Sequence, residues 1–293
     1  MNRKIAVTCI AILAFFMALL LTLYPIISNA YYERHLTKVH AQYQQVIQQL
    51  SDEEIPEARA AAVAYNATLW ESTQACGDYT ADTVLSALDD YETLLNLTGN
   101  GTIGYIHIPK LNLSLPIYHG TEAETLERGV GHLVGSSLPV GGENTHTILT
   151  GHSGLASQKM FSDLDGLVIG DVFYLEVLDE VLAYEVDEIN IVLPHDTAHL
   201  SLEDQQDLCT LVTCTPFGVN THRLLVRGHR IAYTPEEGTT SPQTFAETQE
   251  PVDSTWEEEY MDGIYYALGI VAIILIIIFL IWLFQRGAAN NGT

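Results

Sequence analysis

The sequence predicts a mainly β domain, a sandwich or a closed barrel, preceded by helices and held between two membrane segments. Three observations predict it. Seven short β-rich runs fall between Gly104 and Ile231, punctuated by Gly, Pro, Asn and Asp clusters. Residues 31–98 carry helix formers at helical spacing. Two long uncharged runs, Ile5–Ile27 and Ile264–Phe284, bracket everything else.

The uncharged runs set the frame. They hold 23 and 21 residues. At about 1.5 Å per residue these make helices of about 35 and 31 Å, against a hydrocarbon core of about 30 Å. The alternative for the first run is a cleaved signal peptide, since Ser28-Asn29-Ala30 is a small-x-small pattern. A signal's apolar region is shorter, about 7–15 residues. Arg3 and Lys4 precede the first run and Arg286 follows the second, so the positive-inside rule makes both termini cytoplasmic. The expected order is a cytoplasmic N-terminus (1–4), an anchor (5–28), a helical region (31–98), a β domain (99–233), an acidic linker (234–262), a second membrane helix (263–284) and a cytoplasmic tail (285–293). The chain is thus expected at the cell membrane with its folded domain outside.

Charge narrows the partners of that domain. Residues 31–262 hold all 37 acidic residues and nine of the 12 basic ones, a net of −28. Nucleic acid needs a cationic face, so it is excluded as a partner. Close apposition to anionic lipid is disfavoured for the same reason.

The helical region comes first. Tyr31–Leu50 has no Gly or Pro, and Ser51-Asp52-Glu53-Glu54 has the pattern of a capping box. Ala58–Leu69 is rich in strong helix formers. Residues 70–82 (WESTQACGDYTAD) predict an exposed loop. Thr83–Leu97 resumes helical spacing, with Val84, Leu88, Tyr91 and Leu95 on one face. Gly99-Asn100-Gly101 is a turn, and the grammar then changes to strands. These are Gly104–Ile108, Ser114–Tyr118, His146–Leu149, Val172–Val177, Leu182–Val192, Leu208–Cys214 and Leu224–Ile231.

Cysteine arithmetic suggests where chemistry sits. Three cysteines lie outside the membrane segments: Cys76, Cys209 and Cys214. An odd number in an oxidising compartment leaves a thiol unpaired, which makes one of them a candidate nucleophile. In Asp207–Arg230 a β-branched run ends at Cys214, a Pro-Gly-Asn loop follows, and a second strand opens at Arg223. Antiparallel pairing would bring Cys214 and Arg223 to one rim of the sheet. Cys209, five positions earlier, falls on the opposite face. The strand ending at Thr150 is followed by Gly151-His152-Ser153-Gly154, a corner that presents His152 at a rim. A nearby imidazolium or guanidinium favours the thiolate form of cysteine. Arginine also suits an oxyanion, because it stays charged and offers fixed donors. Each residue has a plainer reading: a strand Cys as a small buried hydrophobe, a lone His as structural, an Arg opening a strand as a solvated charge.

At these residues the sequence resembles the sortases, and specifically the class C, pilus-assembling ones. The resemblance rests on Thr210-Leu211-Val212-Thr213-Cys214, on the continuation Thr215-Pro216-Phe217-Gly218 through Arg223, and on Thr150-Gly151-His152-Ser153-Gly154-Leu155. Ile103–Lys110, Leu115–Thr121, Gly131-His132-Leu133 and Ser137–Gly142 match as well. The resemblance implies an eight-stranded sortase β-barrel flanked by two transmembrane helices. It implies Cys214 as nucleophile, His152 as acid/base partner and Arg223 as oxyanion or substrate-positioning residue, with Thr213 beside them. The enzyme would cleave an LPxTG-like signal after Thr, hold the acyl fragment as a thioester and pass it to a pilin lysine. No metal or organic cofactor is implied. The partners would be LPxTG-bearing pilins or surface proteins.

The family's class C members usually carry an Asp-Pro-aromatic lid, and residues 31–100 contain no such tripeptide. The nearest candidate is Asp78-Tyr79, read either as a degenerate lid within 70–82 or as a polar turn. Cys76 beside it is free, paired with Cys209, or able to form a reversible disulfide with Cys214. Alternative functions are a sortase anchoring single proteins to peptidoglycan, a hydrolytic cysteine peptidase, and a catalytically silent tethered scaffold.

Overall fold

The computed structural model describes residues 3–51, 53–76, 90–153, 158–233 and 269. The chain divides into two units, and one of them, Glu33–Leu155 with Lys159–Val252, holds the barrel and everything described below. The described part of the other is chiefly the first portion of helix α1 (Arg3–Gln49). Ile5–Ile27 is helical throughout, inside α1. Among the described residues no helix is long and apolar enough to cross a membrane; part of that run is not described at side-chain level, and the second uncharged run lies outside the described residues apart from Gly269. The two-pass expectation therefore rests on the sequence.

Eight strands follow the helices: β1 (Thr102–Ile108), β2 (Leu113–His119), β3 (Val130–His132), β4 (Thr145–Thr150), β5 (Val172–Val177), β6 (Glu180–Val192), β7 (Asp207–Thr215) and β8 (His222–Ile231). They close into a barrel in the order β1-β2-β3-β4-β7-β8-β6-β5. The β2–β3 and β4–β7 pairs are parallel and the others antiparallel. Side chains alternate across each strand, so one set fills the barrel. Ile106, Leu115, Ile117, Leu149, Leu211, Val226, Phe173 and Tyr184 form that interior and are almost fully buried. All seven expected strands are present. Two further elements carry no sequence signal: the three-residue β3, too short to show a period, and the six-residue helix α3 (Ala123–Arg128).

The helical region differs from expectation in two places. Helix α2 (Glu54–Cys76) runs past the expected break at residue 70. Nothing before Gly77 breaks a helix, and Ser72 and Thr73 satisfy their hydroxyls on the carbonyls of Thr68 (2.7 Å) and Trp70 (2.7 Å). The remainder of the expected loop, 77–82, lies outside the described residues, as does 83–89 of the next expected helix. Its end, 90–97, is a single 3₁₀ turn, Tyr91–Thr93. Leu95 adopts a left-handed φ of 61°, which ends any helix there. Tyr91 and Leu95 are nevertheless both buried.

Two contacts dock the helices on the barrel. The Ser51/Glu54 capping box opens α2: Glu54 N donates to Ser51 Oγ (3.3 Å) and Ser51 N donates to Glu54 Oε2 (2.8 Å). Further along, Asn66 is buried and makes a two-way bond with Leu138, donating to its carbonyl (3.0 Å) and accepting from its N–H (2.7 Å). On α1, Val39, Tyr43 and Ile47 repeat every four residues and are buried, and Tyr43 Oη accepts the Leu178 N–H (2.9 Å).

Candidate active site

Strands β4, β7 and β8 lie side by side, and their registers decide what meets at the rim. Cys214 and Arg223 are direct antiparallel partners, as the strand–loop–strand reading expects. Arg223 in turn pairs with Val192 of β6. On the other side, the parallel β4–β7 register pairs Thr150 with Val212. Continuing it for two residues brings His152 level with Cys214. Two bonds hold this continuation: Gly151 N donates to the Val212 carbonyl (3.0 Å), and Thr213 Oγ1 donates to the Gly151 carbonyl (2.8 Å). Cys214 and Arg223 thus share one rung, and the extended β4 register carries the His152 corner toward the same rim, although 71 positions separate His152 from Arg223.

Local sequence explains each placement. A Cβ on Gly151 would lie 2.6 Å from the Phe161 ring, so only glycine lets the chain turn there. The Phe161 N–H then holds the His152 carbonyl (3.0 Å). The loop after β7 turns at Gly218 and Asn220, both at left-handed φ (72° and 61°), and the Asn220 N–H closes on the Pro216 carbonyl (2.9 Å).

Cys214, His152 and Arg223 are all half-buried, so the sulfur is reachable from solvent. Cys209 is the opposite case. It is fully buried on the interior face, and burial pushes its thiol pKa well up. Thr213 also faces inward, 3% exposed, and its hydroxyl is spent on Gly151. It therefore positions the His152 corner and does not line the outer face with Cys214. Asp78 and Tyr79 lie outside the described residues, and so does the Cys76 side chain.

Two arginines of β8 share the outer face, and they differ in their partners. Arg227 is bound by Asp187 (3.0 Å), Glu188 (2.8 Å) and Glu203 (3.0 Å). Arg223 has no carboxylate partner among the described residues. Its Nη1 reaches only the carbonyls of His222 (3.0 Å) and Asn220 (3.4 Å). In a strongly anionic domain this guanidinium, on the rung of Cys214, meets no carboxylate among the described residues.

Beside this rim the outer faces of β4, β6, β7 and β8 carry an apolar cluster whose floor is Ile148, Val192, Val212 and Leu225, with Leu133 and Leu200 packed against them. Below it, His146 donates from Nδ1 to the Ser201 carbonyl (2.8 Å) and accepts at Nε2 from Thr210 Oγ1 (2.7 Å). Burial pushes the His146 pKa down to about 4. These floor residues were not singled out in the sequence. The β-strand alternation of Thr210, Val212 and Cys214 carries the signal, but Leu133 and Leu200 come from loops that have none. A separate cleft of about 310 Å³, lined by Tyr91, His119, Glu122 and Val134 among others, shares no residue with this rim.

The arrangement can support nucleophilic chemistry: a half-buried thiol, a guanidinium on the same rung without a carboxylate partner among the described residues, a histidine corner on the neighbouring strand and an apolar cluster beside them. Known proteins point the same way. A family model described as the sortase domain matches residues 106–231. The structure is similar to Streptococcus pneumoniae sortase C, with a TM-score of 0.60 and 42% identity, covering 67% of this chain and 98% of that one. It is equally similar to sortase C1 of Streptococcus agalactiae, with a TM-score of 0.60 and 41% identity, covering 69% of this chain and 100% of that one. Among curated relatives, sortase D of Bacillus subtilis (strain 168) is 34% identical over 131 residues. That match covers 44% of this chain and 63% of the relative, so the chain spans less than two thirds of its length. With the closed barrel and near-complete coverage of two class C structures at about 40% identity in agreement, the chain belongs to the sortase family.

Proposed function

We propose that this chain is a membrane-anchored cysteine transpeptidase that assembles pilins. It cleaves LPxTG-like sorting signals through a thioester on Cys214 and joins the fragment to a pilin lysine. The observation that carries this reading is the shared rung of Cys214 and Arg223, with the guanidinium free of carboxylate partners among the described residues. The class C neighbours support the pilin acceptor. The two uncharged runs support anchoring at 5–28 and 263–284, with both termini cytoplasmic and residues 31–262 outside.

The steps follow from the residue types. The Cys214 sulfur, as thiolate, attacks the carbonyl carbon of the Thr–Gly bond. A C–S bond forms and the carbonyl oxygen takes up negative charge, which the Arg223 N–H groups stabilise. The C–N bond then breaks, and His152 gives its proton to the departing glycine amine. A lysine amine next attacks the thioester and passes a proton to His152. The C–S bond breaks, the isopeptide C–N bond is made, and the thiolate returns. An oxyanion donor of this kind is worth about 3–4 kcal/mol in the transition state. An amine must outcompete water, and the apolar cluster of Ile148, Val192, Val212 and Leu225 beside the rim supports seating the signal where solvent is excluded. Asp78 and Tyr79 are the candidate lid residues on sequence alone, a polar turn being the other reading.

The test is product analysis. The full chain in detergent is incubated with a Leu-Pro-x-Thr-Gly peptide and a lysine-bearing pilin, and adducts are mapped by mass spectrometry. A lysine isopeptide is expected. Free acid alone would indicate a hydrolase. Transfer only to a peptidoglycan precursor would indicate single-protein anchoring. No cleavage, with Cys214 unreactive, would indicate a silent scaffold.

A further inference from the structure

On the opposite wall of the barrel from β7, three side chains from three elements converge: His40 of α1, His107 of β1 and Glu176 of β5. Both imidazoles aim Nε2 at one carboxylate oxygen, Glu176 Oε2, at 3.1 Å from His40 and 3.0 Å from His107. All three candidate ligand atoms lie within 4.8 Å of one another. We propose that His40, His107 and Glu176 form a structural site for a divalent d-block cation of the zinc type, joining α1 to the barrel.

The chemistry of the donors selects the cation. Two imidazoles and a carboxylate suit Zn²⁺, with bonds of about 2.0–2.1 Å, whereas Ca²⁺ and Mg²⁺ require oxygen shells. Tetrahedral bonds of that length separate neighbouring ligand atoms by about 3.3 Å. The two N···O separations need only a few tenths of an ångström to reach it, and the third separation closes by a shift of the His40 ring.

The surroundings are those of a built site. Ser114 Oγ lies 3.1 Å from His107 Nδ1, so when a cation replaces the Nε2 proton Ser114 can accept the N–H of the other tautomer and hold the ring in place. Gln44, one turn after His40, places its amide 3.2 Å from Glu176 Oε1 and 3.4 Å from His40 Nε2. Reversing the amide would offer its oxygen as a fourth ligand. The Tyr105 ring lies 4.4 Å from the His40 ring and, with Tyr43, shields the cluster from one side. Glu176 and His107 are buried, at 4% and 2% side-chain exposure, while His40 at 12% is the route in.

The site is remote from Cys214, and the proposal does not depend on the transpeptidase reading. The test uses the full chain in detergent carrying Cys214→Ala, so that the exposed thiol takes up no metal. It is equilibrated with Zn²⁺, dialysed against metal-free buffer and analysed by inductively coupled plasma mass spectrometry. About one Zn²⁺ per chain should be retained, and the thermal midpoint should rise relative to the metal-free protein. Adding His40→Gln, at the most open ligand, should abolish retention with the far-UV circular dichroism unchanged. Ser114→Ala, which keeps all three ligands, should weaken binding about 10–100-fold. No retention by the parent protein overturns the proposal. So does equal retention by the His40→Gln and Ser114→Ala proteins.

Discussion

Cys214 and Arg223 face each other as direct partners across the β7–β8 ladder, and Arg223 meets no carboxylate among the described residues. The contrast with Arg227, four residues on and held by three acids, gives the pair its meaning. If this charge serves a substrate oxygen, as the proposed function requires, its loss should be costly. Arg223→Ala should lower kcat/KM for a sorting peptide by about 100- to 1,000-fold. Arg223→Lys should recover only part of it, because a lysine lacks the fixed fork of donors. Alkylation of Cys214 by a small electrophile should persist in both variants. Unchanged turnover in Arg223→Ala would remove arginine from the chemistry.

The two described thiols of β7 should behave in opposite ways. Cys214 is reachable, while Cys209 is buried on the interior face with its thiol pKa pushed well up. Brief treatment of the folded protein with iodoacetamide should label Cys214 and spare Cys209, and both should label after denaturation. Peptide mapping reads the result directly. Labelling of Cys209 in the folded state would mean that the barrel opens far more readily than its packing implies.

Much of this was legible in the sequence, and the exceptions have physical causes. The alternation Thr210-Leu211-Val212-Thr213-Cys214 fixes which face Cys214 shares with Arg223 and which it denies to Cys209. His152 was legible only as a glycine-flanked corner; its level with Cys214 depends on a parallel register that no local pattern encodes. Thr213 was read as part of the site because it adjoins Cys214, but strand period 2 turns its side chain inward. The apolar cluster beside the rim draws on Leu133 and Leu200 from loops, which only the closed barrel brings to it. The end of α2 was placed too early because polar residues were read as a loop, although no helix breaker precedes Gly77.

Asn66 joins α2 to the segment before β4 by two bonds to one backbone residue, Leu138. Both bonds are buried. Asn66→Ala would leave an N–H and a carbonyl without partners and should destabilise the fold by about 2–4 kcal/mol. Asn66→Asp should be similarly damaging, because it offers no donor to the Leu138 carbonyl and buries a charge. Urea unfolding followed by tryptophan fluorescence gives the number. A loss below about 0.5 kcal/mol would mean that water replaces both bonds.

Stability should fall in mild acid. Burial pushes the pKa of both His132 and His146 down to about 4. In the unfolded chain an imidazole titrates near 6.5. Between these values the unfolded state binds protons that the folded state does not, so stability rises with pH across the window and is lost as pH drops through it. At pH 5 the loss should be about 2 kcal/mol for each histidine relative to pH 7.5. Glu176 adds a lower window. Burial would raise its pKa, but hydrogen bonds from His107 and His40 outweigh that and hold it at about 2. Its contribution is therefore lost only as pH falls from about 4.3 toward 2. Urea midpoints between pH 7.5 and 4.5 check the first window, and His146→Gln should remove about half of the slope there. A flat profile would reject the buried neutral imidazoles.

Gly151 offers a test of how tightly the rung must be held. An added Cβ would lie 2.6 Å from Phe161 Cδ2, and Phe161 is itself fully buried, so the ring has little room to retreat. Gly151→Ala should therefore displace the His152 corner and cost about 1–3 kcal/mol of stability. A displacement near 1 Å at a reacting group can cost about 100-fold in rate, so kcat should fall more than stability alone explains. Phe161→Leu in the same chain removes the obstructing ring edge and should restore a good part of the rate, although Phe161→Leu alone weakens the core. The double-mutant cycle separates strain at the corner from general destabilisation. If the two losses simply add, the close approach of Gly151 to Phe161 does not govern where His152 stands.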